Sequence, residues 1–289
     1  MNILSGKVFA AQLKEEAKRK VEMLQTKYNV TPGLAVIIVG NDPASEIYVT
    51  NKEKGCTETG IYSKVIRMPE NINKEDLLTK IYLLNRDKKI HGILVQLPLP
   101  KHLQKYETEI LKEISPLKDV DGFHPINVGN LSIGKDALVP CTPHGCIRML
   151  EMAEIKVAGK HAVILGRRNI VGKPMAQLLL SRNATVTICH SRTKNLADIT
   201  RQADILVAAV GKPYFVTEDM VKKGAVVIDV GINRLENKKL VGDVDFDKVA
   251  PIAGAITPVP GGVGLLTIAM LMQNTVFAAE LQVSSGEQL

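Results

Sequence analysis

Short apolar runs alternate with helical patterns along almost the whole chain, which restricts it to an α/β fold with largely parallel sheets. The expected strands are Leu34–Val39, Ser63–Arg67, Gly92–Gln96, Ala162–Leu165, Thr185–Cys189, Ile205–Ala209 and Val226–Val230. Asp42-Pro43 supplies a cap and first-turn pair for a helix running to about Cys56, and Pro174 opens another. A helical pattern over Thr142–Leu150 separates two independent α/β series, so the 289 residues divide into two domains. The apolar helix after Gly264 has no strand partner of its own and is expected to pack back on the first domain, giving 1–145 with 265–289, and 146–264.

Charge is concentrated in one place. Ile155–Ala197 holds no acidic residue but contains Lys156, Lys160, Arg167, Arg168, Lys173, Arg182, Arg192 and Lys194, which accounts for the net charge of +7 and leaves the remainder close to neutral. A local anion site explains this better than a surface that binds nucleic acid. With six Tyr, five Phe and no Trp, the chain also has little from which to build a base-stacking platform. No nucleic-acid partner is expected.

Cys56, Cys141, Cys146 and Cys189 form no CxxC pair, and the Met1 end lacks the blocks of a signal peptide, so reduced thiols in the cytoplasm are expected. The uncharged segment Val249–Ala279 is interrupted by prolines and glycines. Its apolar remainder, Leu265–Ala279, reads as too short for a membrane needing about 20 residues. A buried loop and helix, with no membrane partner, is the expectation.

The run His161–Pro174 sends a strand into a glycine loop that opens a helix, where free N–H groups and the helix dipole attract phosphate. It is not a P-loop, since five residues separate Gly166 from Gly172-Lys173 and Pro174 has no hydroxyl for magnesium. It is not a strict GxGxxG either, so a plain glycine turn stays open beside a dinucleotide site. The following strand ends Cys189-His190-Ser191-Arg192-Thr193 without the carboxylate that grips a ribose in NAD-selective sites. Ser191 with Arg167, Arg168 and Arg192 suits a 2′-phosphate, so NADP is expected over NAD. Gly211 and Gly231 each lie just past a strand, where a doubly wound sheet binds its ligand.

In the first series, Tyr48 and Lys52 share a helix face. A buried strand ends at Gln96 before Leu97-Pro98-Leu99-Pro100, and Lys118-Asp119-Val120-Asp121-Gly122 puts two carboxylates on a loop. A calcium loop is excluded by its missing third acidic position and terminal Glu, and no metal is expected.

Tyr48-x-x-x-Lys52, Gln96–Pro100, Lys118–Gly122, Pro140–Pro143, Gly166-Arg167 with Ile170–Pro174, and Pro258–Gly264 together resemble bifunctional methylenetetrahydrofolate dehydrogenase/methenyltetrahydrofolate cyclohydrolase over essentially the whole chain. The resemblance implies a folate-binding catalytic domain (1–145 and 265–289), a Rossmann-like doubly wound NADP domain (146–264), and tetrahydrofolate one-carbon derivatives as substrates. It also implies a homodimer formed through the cofactor domains. By the same resemblance Lys52 is the catalytic residue, tuned by Gln96, with Tyr48 orienting the folate ring system and Asp121 binding the pterin. Leu97, Pro260, Gly261, Gly262 and Val263 would contact substrate. Gly166, Arg167, Arg168, Gly172, Lys173, Pro174, His190, Ser191, Arg192, Gly211, Gly231, Ile232 and Thr267 would contact the cofactor.

The chain departs from the family's pattern in two places: Arg168 replaces a usual Ser, and Leu265-Leu266 a usual Pro-Met. Another two-domain NADP enzyme, such as a shikimate or amino-acid dehydrogenase, would share the cofactor half but has no use for Tyr48, Lys52, Gln96 and Asp121 in this order.

Overall fold

The computed structural model describes residues 2–284 and divides into two compact units, Met1–Ala11 with Thr142–Thr267, and Gln12–Cys141 with Ile268–Leu289. Eleven strands are present among the described residues: β1 (Asn2–Ile3), β2 (Gly33–Val39), β3 (Tyr62–Met68), β4 (Gly92–Val95), β5 (His161–Leu165), β6 (Thr185–Cys189), β7 (Ile205–Ala208), β8 (Val226–Asp229), β9 (Asn233–Arg234), β10 (Leu240–Val241) and β11 (Ala255–Ile256).

The unit built mainly from 12–141 carries a parallel three-stranded sheet in the order β3-β2-β4. β2 is buried along its whole length, as a central strand covered on both faces must be. Helix Pro43–Thr59 follows it. Asp42 caps this helix by accepting from the Ser45 N–H at 2.8 Å, Pro43 supplies the first turn, and Gly60 at φ +77° ends it. Helix Lys74–Arg86 packs Leu77, Ile81 and Leu84 into the core that β2 and β4 share.

The other unit carries a six-stranded parallel sheet ordered β1-β11-β8-β7-β5-β6, with the antiparallel pair β9–β10 beside it. Its sequence order reverses at β5, the switch point at which doubly wound sheets bind ligands beyond the strand ends. The core there runs from Val163 and Leu165 through Leu206 and Ala208 to Val227 and Ile256.

The expected division placed residues 1–11 with the 12–141 segment. In the structure Asn2 and Ile3 pair with Ala255 and Ile256, and the Gly6 N–H donates to Gly261 O at 2.9 Å, so this end belongs with the six-stranded sheet. The expected short apolar stretch is a 22-residue helix, Val263–Ser284, long and apolar enough to cross a membrane, with 61% of its most apolar window buried inside the protein. From Ile268 onward this helix lies in the 12–141 unit, where Gln273 Nε2 donates to Leu13 O at 2.8 Å.

Candidate active site

Helix Pro43–Thr59 brings Lys52 to the carboxyl end of the three-stranded sheet, and β4 delivers Gln96 to the same place. The Lys52 Nζ donates to Gln96 Oε1 at 2.8 Å, and Gln96 Nε2 donates onward to Leu97 O at 2.6 Å, which fixes the amide's orientation. The Leu97–Pro98 bond is cis. Burial pulls the Lys52 ammonium below its ordinary pKa, while the nearby Asp121 carboxylate and Cys141 thiol oppose that shift. Asp121 is pushed up by its own burial and held back by Lys52. The two form an electrostatically coupled pair.

The Asp121 loop is tied down on both sides. Lys118 is 2% exposed, and its Nζ donates to Leu84 O at 3.3 Å, in the last turn of helix Lys74–Arg86, and to O of its C-cap Asp87 at 3.1 Å. Asp119 accepts from His124 N at 2.7 Å and Asn127 Nδ2 at 2.9 Å. Gly122, at φ +70°, turns the chain against the backbone of 138–140, where a side chain would collide. Asn274, reaching in from the C-terminal helix, donates to Val120 O at 2.8 Å and Val139 O at 2.7 Å. Tyr48 lies one turn before Lys52 and is 45% exposed, with its ring available for contact.

Cys141 and Asn274 are members of this site that sequence reasoning did not assign. Cys141 is buried, its thiol donates to Val120 O at 3.5 Å, and it shares the field of Lys52 and Asp121. Desolvation holds its pKa far above the ordinary thiol value, so it serves as a small packed group and not as a nucleophile.

In the other unit a cavity of about 380 Å³ opens beyond β5, β6 and β7. Gly166, Arg167 and Arg168 form one wall, His190 and Ser191 a second, and Ala209, Val210 and Lys212 a third. Gly166 adopts φ +116°, and a Cβ there would meet Ala209 O. A Cβ on Gly172 would meet Gly166 O, so only glycine lets the loop close on itself. Helix Gly172–Leu180 begins at Val171 with no side-chain cap; the Lys173 N–H donates instead to Arg168 O at 3.2 Å and the Met175 N–H to Val171 O at 2.9 Å. Lys173 and Pro174 lie in its first turn. The His190 ring is held by the Arg192 N–H, which donates to Nδ1 at 3.2 Å.

Thr193, Leu196, Lys212 and Phe215 also line this cavity, although no spacing in the sequence singled them out. Gly211 stands behind its wall at φ +68°, Gly231 packs against the Asp243 carboxylate, and Ile232 is 50% exposed. The Thr267 and Thr142 hydroxyls lie 2.9 Å apart. Pro260–Val263, expected at the substrate, belongs to this same unit, with a cis Val259–Pro260 bond and Gly261 at φ +99°. Two forked guanidiniums and the Ser191 hydroxyl, with no carboxylate among the cavity walls, suit a phosphorylated ribose.

Comparison with known proteins gives a consistent result. The family described as tetrahydrofolate dehydrogenase/cyclohydrolase, catalytic domain, matches residues 4–121, and its NAD(P)-binding domain matches residues 140–283. The bifunctional protein FolD of Moorella thermoacetica is 60% identical over 277 residues, covering 96% of this chain and 98% of that one. A crystal structure of the bifunctional FolD dehydrogenase/cyclohydrolase from Campylobacter jejuni superposes with a TM-score of 0.94 at 52% identity, covering 98% of this chain and 99% of that one. A Trypanosoma brucei relative, solved with NADP cofactor and inhibitor, gives a TM-score of 0.91 at 38% identity, covering 97% and 98%.

Proposed function

The chain belongs to the tetrahydrofolate dehydrogenase/cyclohydrolase family, and on that premise we propose how its own residues divide the work. It oxidises 5,10-methylenetetrahydrofolate to the methenyl cation with NADP, then hydrolyses the cation to 10-formyltetrahydrofolate. When bound, NADP supplies the hydride acceptor. The first step leaves no proton for a side chain to handle and depends on positioning.

The second step is where the coupled Lys52 acts. Water adds to the methenyl carbon and loses a proton; the bond from that carbon to N5 then breaks as N5 takes up a proton and the new hydroxyl gives up its own to become the formyl carbonyl, so that one proton is released overall. A lysine whose burial favours the uncharged amine can accept the water's proton, and Gln96 holds that amine by one N–H so that its lone pair is free. Asp121 accepts from the donor-rich pterin edge, and the exposed Tyr48 ring lies along the folate. Leu97 and the Pro260–Val263 run provide further substrate contacts. The observation that carries this reading is the Lys52–Gln96 contact at 2.8 Å beside Asp121.

Arg167, Arg168, His190 and Ser191 hold the phosphorylated ribose, with Arg192 behind His190. Gly166, Gly172, Lys173 and Pro174 receive the pyrophosphate, and Gly211, Gly231, Ile232 and Thr267 complete the cofactor contacts. A coupled assay of both steps, run in parallel with NADP and NAD, tests the reading. Failure to form 10-formyltetrahydrofolate, or equal efficiency with NAD, overturns it.

The enzyme works in the cytoplasm as a homodimer joined through its cofactor units, without nucleic acid or membrane. Its four cysteines are all unpaired, as a reducing compartment keeps them, and β6 is an edge strand with half-exposed residues that a second copy would cover. Sedimentation measures the assembly directly.

A further inference from the structure

The turn after β7 forms one wall of the cofactor cavity, and a carboxylate that does not line the cavity holds that turn. Asp243 is fully buried. Its Oδ2 accepts from Val210 N at 2.6 Å and Gly211 N at 2.9 Å, and its Oδ1 accepts from Lys212 N at 2.9 Å and Asn233 Nδ2 at 2.9 Å. No ion pair to it exists among the described residues, so these N–H groups alone compensate its charge.

A second carboxylate delivers it. Asp229, at the end of β8, accepts from Asp243 N and Val244 N at 2.9 Å, and from Gly231 N at 2.9 Å. Gly231 and Gly242 have no room for a Cβ, because one would meet the Asp243 carboxylate and the other that of Asp229. The Val216–Val244 bridge runs this segment alongside the turn.

Three successive N–H groups converging on one point make an anion-binding nest. Left empty beside a cavity that receives a dinucleotide, this nest would compete with the Gly166–Gly172 loop for phosphate. In planar trans peptides the carbonyls point opposite the N–H groups, so Ala209, Val210 and Gly211 turn their oxygens away from Asp243. Ala209 O is the atom against which Gly166 packs.

We propose that Asp243 is a positioning residue for the cofactor: it fills the nest behind the β7 turn, turns the Ala209 carbonyl toward the Gly166 loop, and leaves that loop and the arginines as the phosphate site of the cavity. The proposal rests on the NADP reading above. It assigns Asp243 to one of the two activities, since the cyclohydrolase residues Lys52, Gln96 and Asp121 belong to the other unit.

The test uses the full chain with Asp243→Asn, which keeps the shape but replaces one acceptor oxygen with a donor, and the milder Asn233→Ala. Three quantities are measured: the NADP dissociation constant by calorimetry, cyclohydrolase turnover of methenyltetrahydrofolate without cofactor, and amide exchange over residues 209–212. In Asp243→Asn the dissociation constant rises at least tenfold, exchange accelerates, and cyclohydrolase turnover stays within twofold of the parent. Asn233→Ala shifts the first two in the same direction by less. An NADP dissociation constant within twofold of the parent overturns the proposal, and so does joint loss of binding and cyclohydrolase turnover, which would assign Asp243 to the fold. Failure of the parent itself to bind NADP would refute the cofactor reading instead.

Discussion

Lys52 Nζ and Gln96 Oε1 meet at 2.8 Å across 44 positions of sequence, joining helix Pro43–Thr59 to the residue that follows β4. The contact orients an amine that burial inclines toward its neutral form, and the two catalytic steps differ in whether they need that amine.

Lys52→Met therefore separates them. Loss of a positioned acid–base group costs about 10²–10⁴-fold, so cyclohydrolase turnover falls by that amount while dehydrogenase turnover stays within about tenfold of the parent. Spectrophotometry of methenyltetrahydrofolate formation and decay reads both. Equal loss of the two would place Lys52 in substrate binding alone.

The acid limb of the cyclohydrolase kcat profile reports Lys52. The neutral amine is the active form, so the rate rises with pH and levels off above the Lys52 pKa, which burial holds below the ordinary lysine value. The Asp121 charge opposes that lowering. Asp121→Asn removes it and moves the limb to lower pH, whatever it does to KM. A limb that stays in place or moves up would exclude the coupling.

Arg168 tests the phosphate end. A hydrogen bond to a charged group contributes about 1.5–3 kcal/mol, so Arg168→Ser raises the KM for NADP by roughly tenfold or more. The KM for NAD, which lacks the 2′-phosphate, changes little. An unchanged KM for NADP would show that Arg168 does not touch phosphate.

His91 sets part of the pH dependence of stability. Its Nδ1 accepts from Gly33 N at 3.1 Å, and burial pulls the imidazole down to about 4. The unfolded chain takes up a proton near pH 6.5 that the folded chain refuses, so this contribution is present above that pH and is lost as pH falls toward 4. Asp119 and Asp229, which burial pushes up to about 7, act in the opposite sense and lose their contribution as pH rises through 7. His91→Asn keeps an acceptor for Gly33 and removes the imidazole's share, worth about 2 kcal/mol at pH 5. Its unfolding temperature at pH 5, relative to pH 8, is higher than the parent's. Parallel pH profiles would show that His91 carries no such linkage.

What the sequence made legible followed from local pattern. β6 occupies the expected Thr185–Cys189, and the Asp42-Pro43 pair opens its helix as read, because apolar runs and caps act within a few residues. The two-residue strands β1 and β11 are too short to carry a period, and only their pairing defines them. Lys118 read as part of an ordinary charged loop, yet it is buried against carbonyls more than thirty positions away. The hold of Asp243 on Val210 spans 33 positions, and no spacing rule links the end of one strand to the segment after a later hairpin. Lys52, Gln96 and Asp121 were found by resemblance, and their coupling by geometry.

The pairing of Asn2–Ile3 with Ala255–Ile256 has a consequence for how this protein is made. During synthesis the β1 segment leaves the ribosome almost a whole chain length before its partner, and Leu13 waits still longer for Gln273. Neither unit is encoded by one continuous stretch, and no nascent chain stopped before Ile256 holds a finished six-stranded sheet. Contacts of such long sequence separation slow folding and leave incomplete chains exposed, and a fragment expressed from 142 to 267 alone would lack the strand that closes its edge.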